Sequence, residues 1–90
     1  MISFDDALVK ARKYVADLGA AAGDRFDLLE GETQELESGW VFFFNSAEFV
    51  SSGNPMSALA GNGPFFINKE GVIHQLPSSI VWMEEIRKLQ

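Results

Sequence analysis

His74 is the only histidine in the chain, and there is no cysteine. A histidine becomes a general base or a metal ligand when a carboxylate, a second imidazole or a thiolate stands where it can orient it. The flanking residues, Val72-Ile73-His74-Gln75-Leu76, supply none of these. We therefore read His74 as a half-buried strand residue on the same face as Val72 and Leu76, bonded to backbone or water. The lack of cysteine removes disulfides, thiolate zinc sites and a thiol nucleophile, and fits a reducing compartment. Two adjacent carboxylate pairs, Asp5-Asp6 and Glu84-Glu85, come next. Neighbours on a helix diverge by about 100°, so neither pair converges on one scissile bond. Ser46, Ser51, Ser52, Ser57, Ser78 and Ser79 fall in loops with no base spaced to activate them. The expectation is a protein that is not an enzyme and carries no metal or cofactor.

The glycines of Ala60-Gly61-Asn62-Gly63-Pro64 invite a phosphate-loop reading. A dinucleotide fingerprint needs G-x-G-x-x-G between a strand and a helix, and here Phe66 stands at the third glycine. Pro64 removes an amide donor, and a strand pattern follows where a helix N-terminus would have to be. These residues read as turn punctuation, with Pro64 at the start of a strand.

Charge is more informative. The 90 residues carry a net −6. Asp24, Asp27, Glu30, Glu32, Glu35 and Glu37 face one base, Arg25, so this segment alone carries −5. On strands, Asp27, Glu35 and Glu37 would line one face as a negative strip. Acids on a sheet edge guard against aggregation. The same strip is suited to docking a basic protein, because complementary charge speeds encounter and sets register. The candidate binding residues are Asp27, Glu30, Glu32, Glu35 and Glu37, with the adjacent Trp40 either anchoring the interface or buried in the core. An acidic surface repels nucleic acid and anionic lipid, and no apolar run approaches the ~20 residues of a membrane span.

The elements that position these residues follow from periodicity. Ser3 is a good N-cap, with Asp5 and Asp6 in the first helical turn. Ala7, Leu8, Ala11, Tyr14, Val15 and Leu18 form one apolar stripe, and the helix ends at Gly19 or Gly23. Phe26 and Leu28 alternate with Asp27. Trp40-Val41-Phe42-Phe43-Phe44-Asn45 reads as a central strand wanting cover on both sides. Gly53-Asn54-Pro55 is a turn, and Met56–Ala60 has the length of one helical turn. Strands at Phe65–Asn68 and Val72–Leu76 flank Lys69-Glu70-Gly71, with Gly71 placed for positive φ. Ile80, Met83, Ile86 and Leu89 line one face of a last helix. The sum is one α+β domain over residues 1–90: a small antiparallel sheet of four strands (three to five), with N- and C-terminal helices packed on one face. A chain of this length buries roughly 60–65% of its unfolded surface, enough for one core. The basic stretch of a signal peptide is missing from Met1–Lys10, which points to a cytoplasmic protein.

Gly39-Trp40, Ala60-Gly61-Asn62-Gly63-Pro64 and Gly71-Val72-Ile73-His74, in this order and spacing, resemble the YrhB-like domain, also called the immunity protein 35 family. The flanking helices, with Ala7 and Ala11 at one end and Glu84, Glu85 and Ile86 at the other, extend the resemblance over nearly the whole chain. Pro77 directly after Leu76 departs from the family pattern, and Asp24–Ser38 has no family signature. The resemblance implies a bacterial cytoplasmic antidote, encoded beside a polymorphic toxin, that binds this cognate toxin without catalysis. One branch of the family implies instead a chaperone-like protein, and Val41, Phe43 and the loop around Phe49, Val50 and Met56 would leave an apolar patch for clients or for self-association with a second subunit. Monomer and homodimer both remain open.

Overall fold

The structure is a computed structural model that describes residues 1–59, 63–77 and 82–89. The Ser3 hydroxyl accepts from the Asp6 N–H (3.1 Å) and the Asp6 carboxylate accepts from the Ser3 N–H (3.2 Å), a closed capping box. It opens α1 (Phe4–Ala22), which runs past Gly19 and ends at Gly23. Ala7, Ala11, Val15 and Gly19 are its buried residues. Their four-residue spacing makes a narrow stripe of small side chains, which lets α1 lie close on the sheet.

Six strands follow among the described residues: β1 (Phe26–Leu28), β2 (Gln34–Leu36), β3 (Gly39–Phe42), β4 (Phe44–Ser46), β5 (Phe65–Asn68) and β6 (Ile73–Gln75). β2-β3-β5-β6 form a four-stranded antiparallel sheet, and β1 pairs with β4. The expected central strand is thus two strands that change partners at Phe43. The cause lies across from it. The Leu29 N–H bonds the Phe43 carbonyl at 2.8 Å, and the next pair is Gln34 with Val41. Residues 30–33, including a 3-10 turn at Glu30–Glu32, therefore stand opposite Phe42 alone. One long hairpin is interrupted by an outward loop on its first arm.

Alternation along the second arm continues through the break. Trp40, Phe42, Phe44, Phe65 and Ile67 pack against Ala7, Ala11 and Val15 of α1. Val41 and Phe66 point the other way, into a second cluster with Leu76 and Ile86, and Phe43 packs against it. Ile86 belongs to α3 (Trp82–Leu89). The α+β class and the four-stranded sheet are as expected, but the two helices are not on one face: α1 covers one side and α3 the other. The physical reason is that β3 and β5 are apolar on both faces, and α1 fills only one of them. Within α3, Met83 is exposed, so the expected stripe reduces to Ile86 among the described side chains. Ile80 and the Leu89 side chain lie outside the described residues, as do Ala60, Gly61, Asn62, Ser78 and Ser79. The segment after β4 is more regular than its sequence suggests. Ser46 caps a short helix α2 (Ala47–Ser52), and the expected turn at Met56 is a 3-10 turn at Pro55–Ser57.

The Tyr14 hydroxyl donates to Gln75 Oε1 at 2.6 Å, and Gln75 Nε2 donates to the carbonyls of Gly63, Pro64 and Leu76 at 3.1 Å each. This ties α1 through the edge strand β6 to the described end of the glycine loop. Burial raises the Tyr14 phenol above its ordinary pKa of 10.0. Because the folded state holds this proton more tightly than the unfolded chain, the contribution to stability is complete below pH 10 and is lost as pH rises through the folded value. Tyr14 is the only tyrosine, so phenolate absorbance follows it alone. Its titration is expected above 10 in the folded protein and at the ordinary value in denaturant. Tyr14→Phe should flatten the alkaline limb of a pH–stability curve.

Gly39 permits the β3–β5 approach. A Cβ there would run into the Ile67 carbonyl oxygen and come within 2.8 Å of Asn68 Cα, both backbone atoms that cannot yield without moving β5. Gly39→Ala is expected to lower the unfolding free energy by roughly 2–3 kcal/mol in a denaturant titration. A loss below about 0.5 kcal/mol, the level of an ordinary surface change, would contradict this close packing.

Candidate functional site

The acidic segment folds as the first arm of the interrupted hairpin, and the interruption decides where each carboxylate goes. Asp27 pairs with Asn45, while Glu35 pairs with Trp40. Asn45 and Trp40 lie on opposite faces of the second arm, so Asp27 faces away from α1 and Glu35 faces toward it. The expected single strip through Asp27, Glu35 and Glu37 is thus corrected. The extra residues 30–33 offset the register by an odd number, and an odd offset exchanges faces. Glu37 sits in the β2–β3 turn, and Glu32 ends the 3-10 turn. Glu30 bonds Arg12 of α1 at 2.9 Å, with both side chains about half exposed (51% and 54%). Exposed pairs of this kind contribute about 0–1 kcal/mol. Glu32, Glu35 and Glu37 enter no ion pair among the described residues. β2 is an outer strand of its sheet, so this side of the molecule is open to a partner.

Trp40 is only 2% exposed. It packs against Phe4 (ring centroids 6.1 Å apart), and the Lys69 ammonium sits 4.3 Å from its ring centroid. Its indole Nε1 is buried without a hydrogen-bond partner among the described residues. Trp40 is therefore a core residue and not a projecting anchor. It was a candidate because aromatic residues serve both roles; its pairing with Ile67 in the central ladder settles which. Trp40 does, however, line a shallow groove of about 350 Å³ together with Phe4, Glu30, Thr33 and Glu35. Phe4 is 41% exposed and stacks on Phe42 at 6.4 Å. Sequence reasoning missed Phe4 and Thr33 as groove residues. The available signal was Phe4 itself, an aromatic directly after the N-cap, three residues before Ala7 and seven before Ala11, and so on the same helix face as the stripe.

The other candidate chemistry separates from this groove. Gly63 and Pro64 turn their carbonyls, not amides, to Gln75, which is the wrong polarity for a phosphate cradle. β5 follows them directly. His74 pairs with Phe66 across the sheet, ring centroids 6.2 Å apart, on the α3 face and away from the groove. Asp5 and Asp6 serve the start of α1. Among the described residues no three histidine or carboxylate side chains gather as a metal site, and no helix is long and apolar enough to cross a membrane.

The family model described as Immunity protein 35 matches residues 5–88. The Uncharacterized protein YrhB of Escherichia coli (strain K12) is 39% identical over 79 residues, which cover 84% of this chain and 76% of that protein. No solved structure matches. The match runs from the first turn of α1 to the last turn of α3 and takes in every described strand, including the acidic arm that carries no signature of its own, and the chain belongs to the immunity protein 35 family.

Proposed function

We propose that the protein is a bacterial cytoplasmic immunity protein that neutralises the toxin of a polymorphic toxin system by binding it directly, without catalysis. Membership of the immunity protein 35 family carries this reading. The charge distribution supports it: −5 of the net −6 lies in Asp24–Glu37, and Glu32, Glu35 and Glu37 cluster about the outer strand β2. A basic toxin surface, such as one that grips nucleic acid or another polyanion, is the complement.

The rival reading, a chaperone-like or self-associating protein, called for an apolar patch over Val41, Phe43, Phe49, Val50 and Met56. Val41 is fully buried beneath α3, and Phe43 and Phe49 are half-buried. Val50 and Met56 stay exposed on the α2 segment. The extended patch is thus largely withdrawn, and no observation favours this reading.

The test is co-expression with the product of the adjacent reading frame. Relief of growth arrest and a stoichiometric complex are expected. Changing Glu32, Glu35 and Glu37 together to Lys should slow association on the order of 10- to 100-fold at low salt, with a smaller effect at high salt. A toxin bound equally fast by the reversed variant removes β2 from the account. A neighbour that is neither toxic nor bound removes the immunity reading itself.

A further inference from the structure

The groove between the start of α1 and β2 combines groups that favour one kind of side chain. Its described lining is Phe4, Glu30, Thr33, Glu35 and Trp40. The chain's own cations already display its preference. Arg12 holds Glu30 at 2.9 Å, and the Lys69 ammonium lies over the Trp40 ring at 4.3 Å. Those two contacts occupy Glu30 and Trp40. Glu35 has no ion pair among the described residues, and Phe4 is 41% exposed. An exposed aromatic ring beside an unpaired carboxylate suits a planar cation that stacks and makes two parallel hydrogen bonds. Guanidinium meets both demands, whereas an ammonium can sit over a ring, as Lys69 does, but cannot stack flat on it or make two parallel hydrogen bonds to one carboxylate.

We propose that this groove seats an arginine side chain of the protein partner, its stem over Phe4 and its guanidinium on Glu35. The proposal rests on the immunity reading for the identity of that partner, but not for the chemistry of the groove. Charge decides against a second copy of this chain as the occupant. Two β2 edges brought together would set Glu32, Glu35 and Glu37 against their own counterparts.

The experiment is an amide NMR titration of the full chain with a blocked Gly-Arg-Gly tripeptide. Its citrulline counterpart, of the same shape without the charge, is the control. Saturable shifts at Phe4, Thr33 and Glu35 are expected, with the citrulline form about 10-fold weaker. Glu35→Gln should abolish the difference between the two peptides. Glu48→Gln, on α2 and away from the groove, should keep it. Scattered non-saturating shifts, equal binding of citrulline, or an unaffected Glu35→Gln variant would overturn the assignment.

A second arm separates this proposal from the reading beneath it. Glu35→Gln should weaken toxin binding about 10-fold or more. A toxin held equally by wild type and Glu35→Gln overturns the groove and leaves the immunity function standing. If nothing in the adjacent frame binds, that function falls, and the peptide titration still decides the groove. Concentration-dependent dimerisation lost in Glu35→Gln would give the groove to a second copy and overturn its assignment to a different protein.

Discussion

The pairing of β3 with β5 is the constraint on which the rest of the molecule depends. Trp40 with Ile67, Val41 with Phe66, and Phe42 with Phe65 stand directly opposite one another, and all six are at most 2% exposed. Large aromatic side chains bury about 150–250 Å² each, worth several kcal/mol apiece at roughly 25 cal/mol per Å². Both faces of this pair are apolar, so neither is stable in water. The sheet must be covered twice, and the two helices end up on opposite sides for that reason. Close approach of the two strands in turn requires the bare Cα of Gly39.

That demand also decides where polar residues go. Once the two central strands claim the apolar side chains, the acidic segment is left for the outer arm. There its carboxylates remain hydrated, and charge of one sign on a strand edge disfavours edge-to-edge pairing. The insertion at 30–33 lets an arm with too many residues follow the second arm, and it divides the acids between two faces. Glu30 returns to α1 through Arg12, while Glu35 is placed over the aromatic ladder at the Phe4 end. The groove here is thus a by-product of core geometry: edge charges set beside an aromatic floor that the core needs in any case.

The loops are held by a few side chains that substitute for backbone partners. Asn45 Oδ1 accepts from the N–H groups of Ser46 (2.8 Å) and Leu59 (2.7 Å), and the Ser46 hydroxyl donates to the Ser57 carbonyl at 2.6 Å. These bonds return the α2 segment to the strand it left. Asn68 Oδ1 accepts from Glu70 and Val72 and closes the β5–β6 turn, where Gly71 takes the positive φ its position demands. Satisfying backbone groups this way keeps irregular segments compact without burying unpaired polar atoms.

Local signals were strong enough to read α1, its Ser3 cap, the β5–β6 hairpin and the extended aromatic run from Trp40, though not the division of that run at Phe43, directly from the sequence. Each depends on neighbours within a few residues: a capping hydroxyl, a three-and-four spacing, a glycine at a turn. The family, too, was legible from the order of its short motifs. What the sequence left open depended on pairing between distant segments. The Asp24–Glu37 acids could be counted but not assigned to faces, because the insertion opposite Phe42 appears only when the two arms are laid together. Trp40 could be recognised as large and apolar, but its burial follows from Ile67 across the ladder and Phe4 above it. The face taken by α3 and the groove joining Phe4 to Glu35 are likewise products of tertiary packing. Side-chain period and capping are local properties of a chain; register and the choice of face are properties of pairs, and only folding brings the pairs together.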